Sequence, residues 1–137
     1  MGGDVNWTPP ARPTWLQQFN AEAAGMDIEH LVPLDADELI ATAQRVTGFT
    51  DFGGNEWREP FDVLLRSLNT EAELHFFGRL MTRSDILIWL QALLGIQAAF
   101  NEHPEIADEI IDRPVIIAGS PRSGTSILFE LMAQDAQ

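Results

Sequence analysis

The stretch that most constrains the fold lies late in the chain, where residues 115–134 read VIIAGSPRSGTSILFELMAQ. Val115-Ile116-Ile117-Ala118 is a short, β-branched apolar run, the pattern of a buried strand. Gly119-Ser120-Pro121-Arg122-Ser123-Gly124 follows as a turn-forming segment. Thr125 to Met132 then carries apolar residues at helical spacing. Strand, glycine-bounded loop and helix in that order make a cradle for an anion. The first amides of a helix lack carbonyl partners, and the helix dipole places positive charge there. Gly124 lets the backbone approach a ligand with no Cβ in the way. The hydroxyls of Ser123, Thr125 and Ser126 add donors, and Arg122 brings a forked guanidinium suited to phosphate or sulfate oxygens.

The spacing from Gly119 to Gly124 matches GxxxxGK[ST] of the nucleotide-binding loops, but Thr125 stands where the lysine belongs. Without that lysine the usual handling of β- and γ-phosphates is lost. The cationic group sits instead at Arg122.

Composition narrows the function classes. The chain has 137 residues, about one domain, and a hydrophobic content of 45%, ordinary for a folded protein. Its formal net charge is −13, with eight basic residues, all of them arginine. An acidic surface repels nucleic acid, so no nucleic-acid partner is expected, and an anionic ligand must be held by local donors. Cysteine is absent, which excludes disulfides and thiolate metal sites. The opening MGGDVNWTPPARP lacks the basic start and apolar core of a secretory signal, and Asn6 spoils a myristoylation motif. No apolar run reaches the roughly 18 residues of a membrane span. The location expected from these features is cytoplasmic.

Residues 1–13, rich in Gly and Pro, read as an extended arm, with Trp7 and Trp15 as anchors. Residues 14–110 read as a helical region. Thr14 to Ala24 forms a short helix ended by Gly25. A capping box at Asp35 and Glu38 starts the next helix, whose stripe is Leu39, Ile40, Ala43 and Val46, and Gly48 closes it. Residues 48–58 form a glycine-rich loop. Its Asp51 and Glu56 are read as solvated carboxylates, since no third ligand shares a metal spacing with them. Glu59-Pro60 opens a helix bearing Phe61, Leu64, Leu65 and Leu68. Thr70 and Glu73 predict a second capping box and a fresh helix with Leu74, Phe77, Leu80 and Met81, ending in a break at Thr82 to Ser84. Ile86 to Phe100 is a very apolar helix, read as core, with a surface for a greasy substrate or membrane as the alternative. His30, His75 and His103 fall on separate elements and are read as surface or capping residues. Residues 111–137 begin a second region with the strand and loop.

The PRSGTS loop resembles the 5′-phosphosulfate loop, P-[KR]-S-G-T-[ST], of the sulfotransferases, and in particular of a group of bacterial, notably actinobacterial, family members. Segments before it strengthen the resemblance: Arg12-Pro13-Thr14-Trp15, Thr47 to Gly53, Trp57-Arg58-Glu59-Pro60, Leu64 to Leu68 with Glu71-Ala72, Gly78-Arg79, and His103-Pro104-Glu105-Ile106. The resemblance implies an α/β, P-loop-like sulfotransferase fold. This chain would hold its mainly helical N-terminal region and the first strand–loop–helix.

It further implies transfer of a sulfuryl group from 3′-phosphoadenosine 5′-phosphosulfate (PAPS) to the hydroxyl or amine of a small-molecule acceptor. The apolar helix hints that the acceptor is hydrophobic. No metal is required by this chemistry. Arg122 takes the catalytic role of stabilising charge on the departing 5′-phosphate. Pro121, Arg122, Ser123, Gly124, Thr125 and Ser126 form the donor-binding set.

The family's general base, its 3′-phosphate site and most of its parallel sheet follow the loop in sequence. The chain therefore reads as the front third of a longer enzyme, inactive by itself. Two other readings stay open: a P-loop kinase or NTPase-like phosphate binder, and a non-catalytic helical interaction module. Oligomerisation is open as well.

Overall fold

A computed structural model of the chain describes residues 8–120 and 122–134. The chain divides into two units, Met1–His103 and Pro104–Gln137.

The first unit is helical because its apolar residues recur at helical spacing between well-placed caps. Helix α1 spans Thr14–Glu22 and runs into a 3-10 turn over Ala23–Gly25. Helix α2, Ile28–Leu31, is a single turn not expected from the sequence; the Asp27 carboxylate caps it by accepting from the His30 amide at 3.1 Å. Helix α3 covers Ala36–Thr47, with the Asp35 carboxylate accepting from the Glu38 amide at 2.9 Å. Only half of the expected capping box forms there, because the Glu38 carboxylate turns away to Arg83 and Thr42. Gly48 ends α3 at φ 75°, a left-handed conformation that a side chain disfavours.

Helix α4 is Arg58–Thr70 and helix α5 is Phe76–Glu102. Two sequence expectations give way here. Thr70 starts no helix: its hydroxyl donates back to the Arg66 carbonyl at 2.9 Å and it closes α4 instead. The cap of α5 is His75, whose Nδ1 accepts from the Gly78 amide at 2.9 Å. Nor does the chain break at Thr82 to Ser84, where α5 runs on without interruption. No Gly or Pro lies there, and Arg83 points inward to a forked pair with Glu38, at 2.6 and 2.7 Å.

The core is the seam of α3, α4 and α5. Leu39, Ala43, Leu65, Ile86, Leu90 and Leu94 are buried together with Leu34, and Phe52, Trp57 and Phe61 pack around them. Val46, the last residue of the expected α3 stripe, stays largely exposed. At the other end Phe19 stacks on Phe76 at 5.3 Å, and Trp15 meets Phe77 edge to face at 5.4 Å, which anchors α1. Trp7 lies outside the described residues.

A buried guanidinium ties these elements together. Arg79, 5% exposed, donates to the Val32 carbonyl at 2.6 Å and to Asn69 Oδ1 at 2.7 Å. Asn69 in turn donates to the Leu34 carbonyl at 3.0 Å. The irregular segment between α2 and α3 is thus held by α4 and α5, and its buried carbonyls find donors.

The second unit is sparser. A 3-10 turn covers Pro104–Asp108, and helix α6 spans Thr125–Met132. The expected strand at Val115 to Ala118 is not formed, and no strand occurs among the described residues. A strand is defined by ladder partners, and no described segment supplies one. The apolar run is exposed accordingly, with Val115 at 72% and Ile116 at 82%. The α/β architecture implied by the sequence is therefore represented here by helix and loop alone.

Candidate functional site

The loop before α6 is shaped by two glycines with different tasks. Gly124 stands at φ 91°, a left-handed turn into the helix that is open to glycine and strained for other residues. Gly119 serves by close approach. A Cβ there would lie 2.6 Å from Ser123 Oγ and 2.9 Å from Thr125 Cγ2, so the loop folds back on itself where a side chain has no room. Gly119 was absent from the site residues read from the sequence. The signal for it was already present in the spacing to Gly124.

The Ser123 amide donates to the Ser120 carbonyl at 3.1 Å and closes a tight turn. Within that turn Arg122 stands at φ 64°. Left-handed backbone at an arginine costs about 1–2 kcal/mol, the kind of local strain that collects at ligand clamps and switch regions. Arg122 is exposed, and among the described residues its guanidinium has no ion-pair partner.

Gly124 offers no side chain to cap α6, and none caps it. The first helical bond runs from the Leu128 amide to the Gly124 carbonyl at 3.1 Å. The amides of Thr125, Ser126 and Ile127 find no acceptor among the described residues. The start of α6 and Arg122 therefore share one hollow of about 290 Å³, lined by Arg122, Gly124, Thr125, Ser126 and Ile127.

A larger hollow of about 490 Å³ lies alongside, lined by Val115, Ile117, Thr125, Ser126, Phe129 and Glu130. Size does not make it the better anion seat, because the Glu130 carboxylate would repel an anion there and no cation lines it. The smaller hollow fits an anion on charge.

Of the residues predicted from the sequence, Arg122, Gly124, Thr125 and Ser126 come together at that hollow. Ser123 does not line it; its hydroxyl packs toward Gly119. Pro121 lies outside the described residues. The two carboxylates of the glycine-rich loop, Asp51 and Glu56, are exposed as expected, but Asp51 is also tied by hydrogen bonds. Asp51 accepts from the Gly53 amide at 2.8 Å and from Asn101 Nδ2 at 2.8 Å, and the Asn101 bond first, then the Gly53 amide, holds its carboxyl below the ordinary value. Among the described residues no group of three His, Cys, Asp or Glu side chains is placed to hold a metal ion.

No family model matches the chain, and neither does any curated protein. Among solved structures, the sulfotransferase STF1 from Mycobacterium tuberculosis H37Rv is similar, with a TM-score of 0.68 and 36% sequence identity over 74% of this chain. The chain is of actinobacterial sulfotransferase type. It spans 28% of the length of that sulfotransferase. Several of the segments read from the sequence as carrying the resemblance have physical tasks in this fold. Trp57 packs between Phe52 and Phe61, Arg58 pairs with Asp37 and Asp62 at 3.0 Å, and Arg79 is the buried tie of the helical unit. No described helix is long and apolar enough to cross a membrane.

Proposed function

We propose that the loop from Ser120 to Ser126 binds the 5′-phosphosulfate of PAPS, and that the whole protein transfers the sulfuryl group to a hydroxyl or amine of a small acceptor. The observation that carries this reading is the shared hollow, where Arg122 adjoins Thr125, Ser126 and Ile127, whose amides find no acceptor among the described residues. The fit of such a group rests on the cradle itself. Gly119 and Gly124 leave backbone where a side chain would sit, and of the described residues lining the hollow Arg122 alone is charged.

The donor supplies the activated sulfuryl group. The chain's own residues bind and orient it: the helix amides donate to phosphate oxygens, and the hydroxyls of Thr125 and Ser126 add donors at its rim. Arg122 is the residue proposed to act on the reacting group. Its fork stabilises charge gathering on the departing 5′-phosphate, an electrostatic contribution of the kind that dominates many active sites. No metal is called for.

A general base is not apparent at the loop. The histidines, His30, His75 and His103, all fall in the first unit, and residues 104–137 contain none. This chain alone is accordingly proposed to bind the donor weakly and not to turn it over. A kinase-like reading has no observation in its favour, because Thr125 occupies the lysine position.

The experiment is a calorimetric titration of the full chain with 3′-phosphoadenosine 5′-phosphate, repeated on Arg122→Ala. Loss of a charge-assisted contact is worth about 1.5–3 kcal/mol, roughly 10–100-fold in affinity. ATP–Mg²⁺ binding as tight as the adenosine bisphosphate, or Arg122→Ala binding unchanged, would falsify the proposal.

A further inference from the structure

The start of α5 is held by two side chains, one local and one distant. The leading amides of a helix have no carbonyl partners of their own. His75 Nδ1 accepts from the Gly78 amide at 2.9 Å, and Asn20 Oδ1 on α1 accepts from the Phe77 amide at 3.1 Å. The same turn supplies Phe76 and Phe77, the rings against which Phe19 and Trp15 of α1 pack. Helix α1 buries no residue of its own, and beyond the 3-10 turn that continues it, its principal described packing is with α5. Asn20 sits within that contact, its Nδ2 buried, so water does not readily replace the bond to Phe77.

The choice of cap matters chemically. Ser, Thr, Asp and Asn, the usual caps, keep an acceptor oxygen near neutral pH. Histidine accepts at Nδ1 only while that nitrogen carries no proton; the imidazolium has two donors and no acceptor. A protonated ring turns an N–H toward the Gly78 amide and sets a positive charge at the positive end of the α5 dipole. Both effects oppose the cap. No opposite charge offsets them. The charged residues on the segments that meet there are Glu22 on α1, Glu71 and Glu73 before the cap, and Arg79 on α5. Glu71 accepts from the Ser67 hydroxyl, Arg79 is spent on Val32 and Asn69, and among the described residues no ion pair joins a carboxylate to His75.

We propose that His75 is a pH-sensitive clasp between α1 and α5. Neutral, it caps α5 and keeps Phe76 and Phe77 in place for Phe19 and Trp15. Protonated, it frees the first turn of α5, and with that turn the Phe77 amide leaves Asn20 and α1 loosens. The junction is closed at the alkaline side of the interval in which histidines ordinarily change charge, about pH 5 to 8, and opens toward the acid side. Every group involved belongs to the first unit and to its internal contacts, whatever lies against its outside. Neither the Ser120 to Ser126 loop nor a bound donor takes part.

The test is amide exchange by nuclear magnetic resonance on the full chain, with each rate taken relative to an unstructured peptide at the same pH. From about pH 8 to about pH 5 the protection of the Phe77 and Gly78 amides is expected to fall roughly three- to thirtyfold, the loss of one helix cap. Protection at Leu90 and Leu94 in the core stays within about twofold, and contacts between the Trp15 and Phe77 rings weaken along with the cap. The lower limit stays above 4.5, the ordinary value for Glu38, so that carboxylate remains ionised throughout. His75→Asn keeps an acceptor that does not titrate and is expected to stay protected at both ends. His75→Ala is expected to be unprotected at both, and His75→Asn alone decides the matter if the alanine variant fails to fold. His30 and His103 are still present in both variants. Equal protection of the parent at the two ends, or a pH response that survives in His75→Asn, overturns the proposal.

Discussion

Replacing Arg79 by methionine tests how the helical unit is held together. The methionine keeps most of the apolar stem and removes the guanidinium, which is buried with no carboxylate paired to it among the described residues. Two effects oppose each other. Removing an unpaired buried charge relieves desolvation, and that alone would stabilise the fold. Against it, two charge-assisted hydrogen bonds worth about 1.5–3 kcal/mol each are lost. The Val32 carbonyl and Asn69 Oδ1 are also left without their donor, at about 1–3 kcal/mol for each group that stays dry. Three elements meet at these two acceptors, so they do not all reach water without local unfolding. The losses win, and a net destabilisation of about 3 kcal/mol is expected. For a unit of this size that lowers the melting temperature by roughly 12–24 °C. Urea unfolding followed by far-UV circular dichroism reads it directly, with Arg66→Met, an exposed arginine on α4, as a control expected within about 0.5 kcal/mol of the parent. If Arg79→Met unfolds within about 1 kcal/mol of the parent, the guanidinium is not the tie described.

Glu38 makes stability depend on pH. The Arg83 hydrogen bonds, more than the opposing effect of burial, hold its carboxyl below the ordinary value of 4.5. The folded state therefore favours the ionised form. The stabilisation is complete above the unfolded value and is lost as pH falls through the lowered folded one. Glu38→Gln should flatten the urea midpoint across that acid window, and an unchanged slope would show that the pair with Arg83 contributes nothing there. At the loop, Gly119→Ala puts a methyl within 2.6 Å of Ser123 Oγ and should weaken 3′-phosphoadenosine 5′-phosphate binding by about tenfold or more while leaving the helical unit's melting intact. Binding equal to the parent's would mean that the close approach at Gly119 is not needed for the cradle.

Local signals in the chain were enough for much of this. Asp35, Gly48 and the stripe of Leu39 and Ala43 define α3 by themselves, because a cap, a stop and a period all act within one or two turns. The turn into α6 was legible for the same reason: Gly119, Arg122 and Gly124 lie within six positions, and a helix start is a local event. Where several local signals compete, the sequence misleads. Thr70 with Glu73 looks like a capping box, yet α4 runs through Thr70 and His75 starts α5. The choice depends on where Arg79 and Asn69 must sit to reach Val32 and Leu34, which are far away in sequence. Likewise, Arg83 keeps α5 unbroken by pairing with Glu38 across 45 positions.

The strand at Val115 marks the other limit. An apolar β-branched run states a preference, but a ladder requires a partner, and pairing is a property of the assembled fold. By itself the sequence determined the cap at Asp35, the stop at Gly48 and the inward stripe of Leu39 and Ala43, since each depends on neighbours along the chain. Only the tertiary structure decided that Arg79 is buried and that Arg83 turns inward to Glu38. Those outcomes depend on which distant groups arrive to desolvate a side chain or satisfy it.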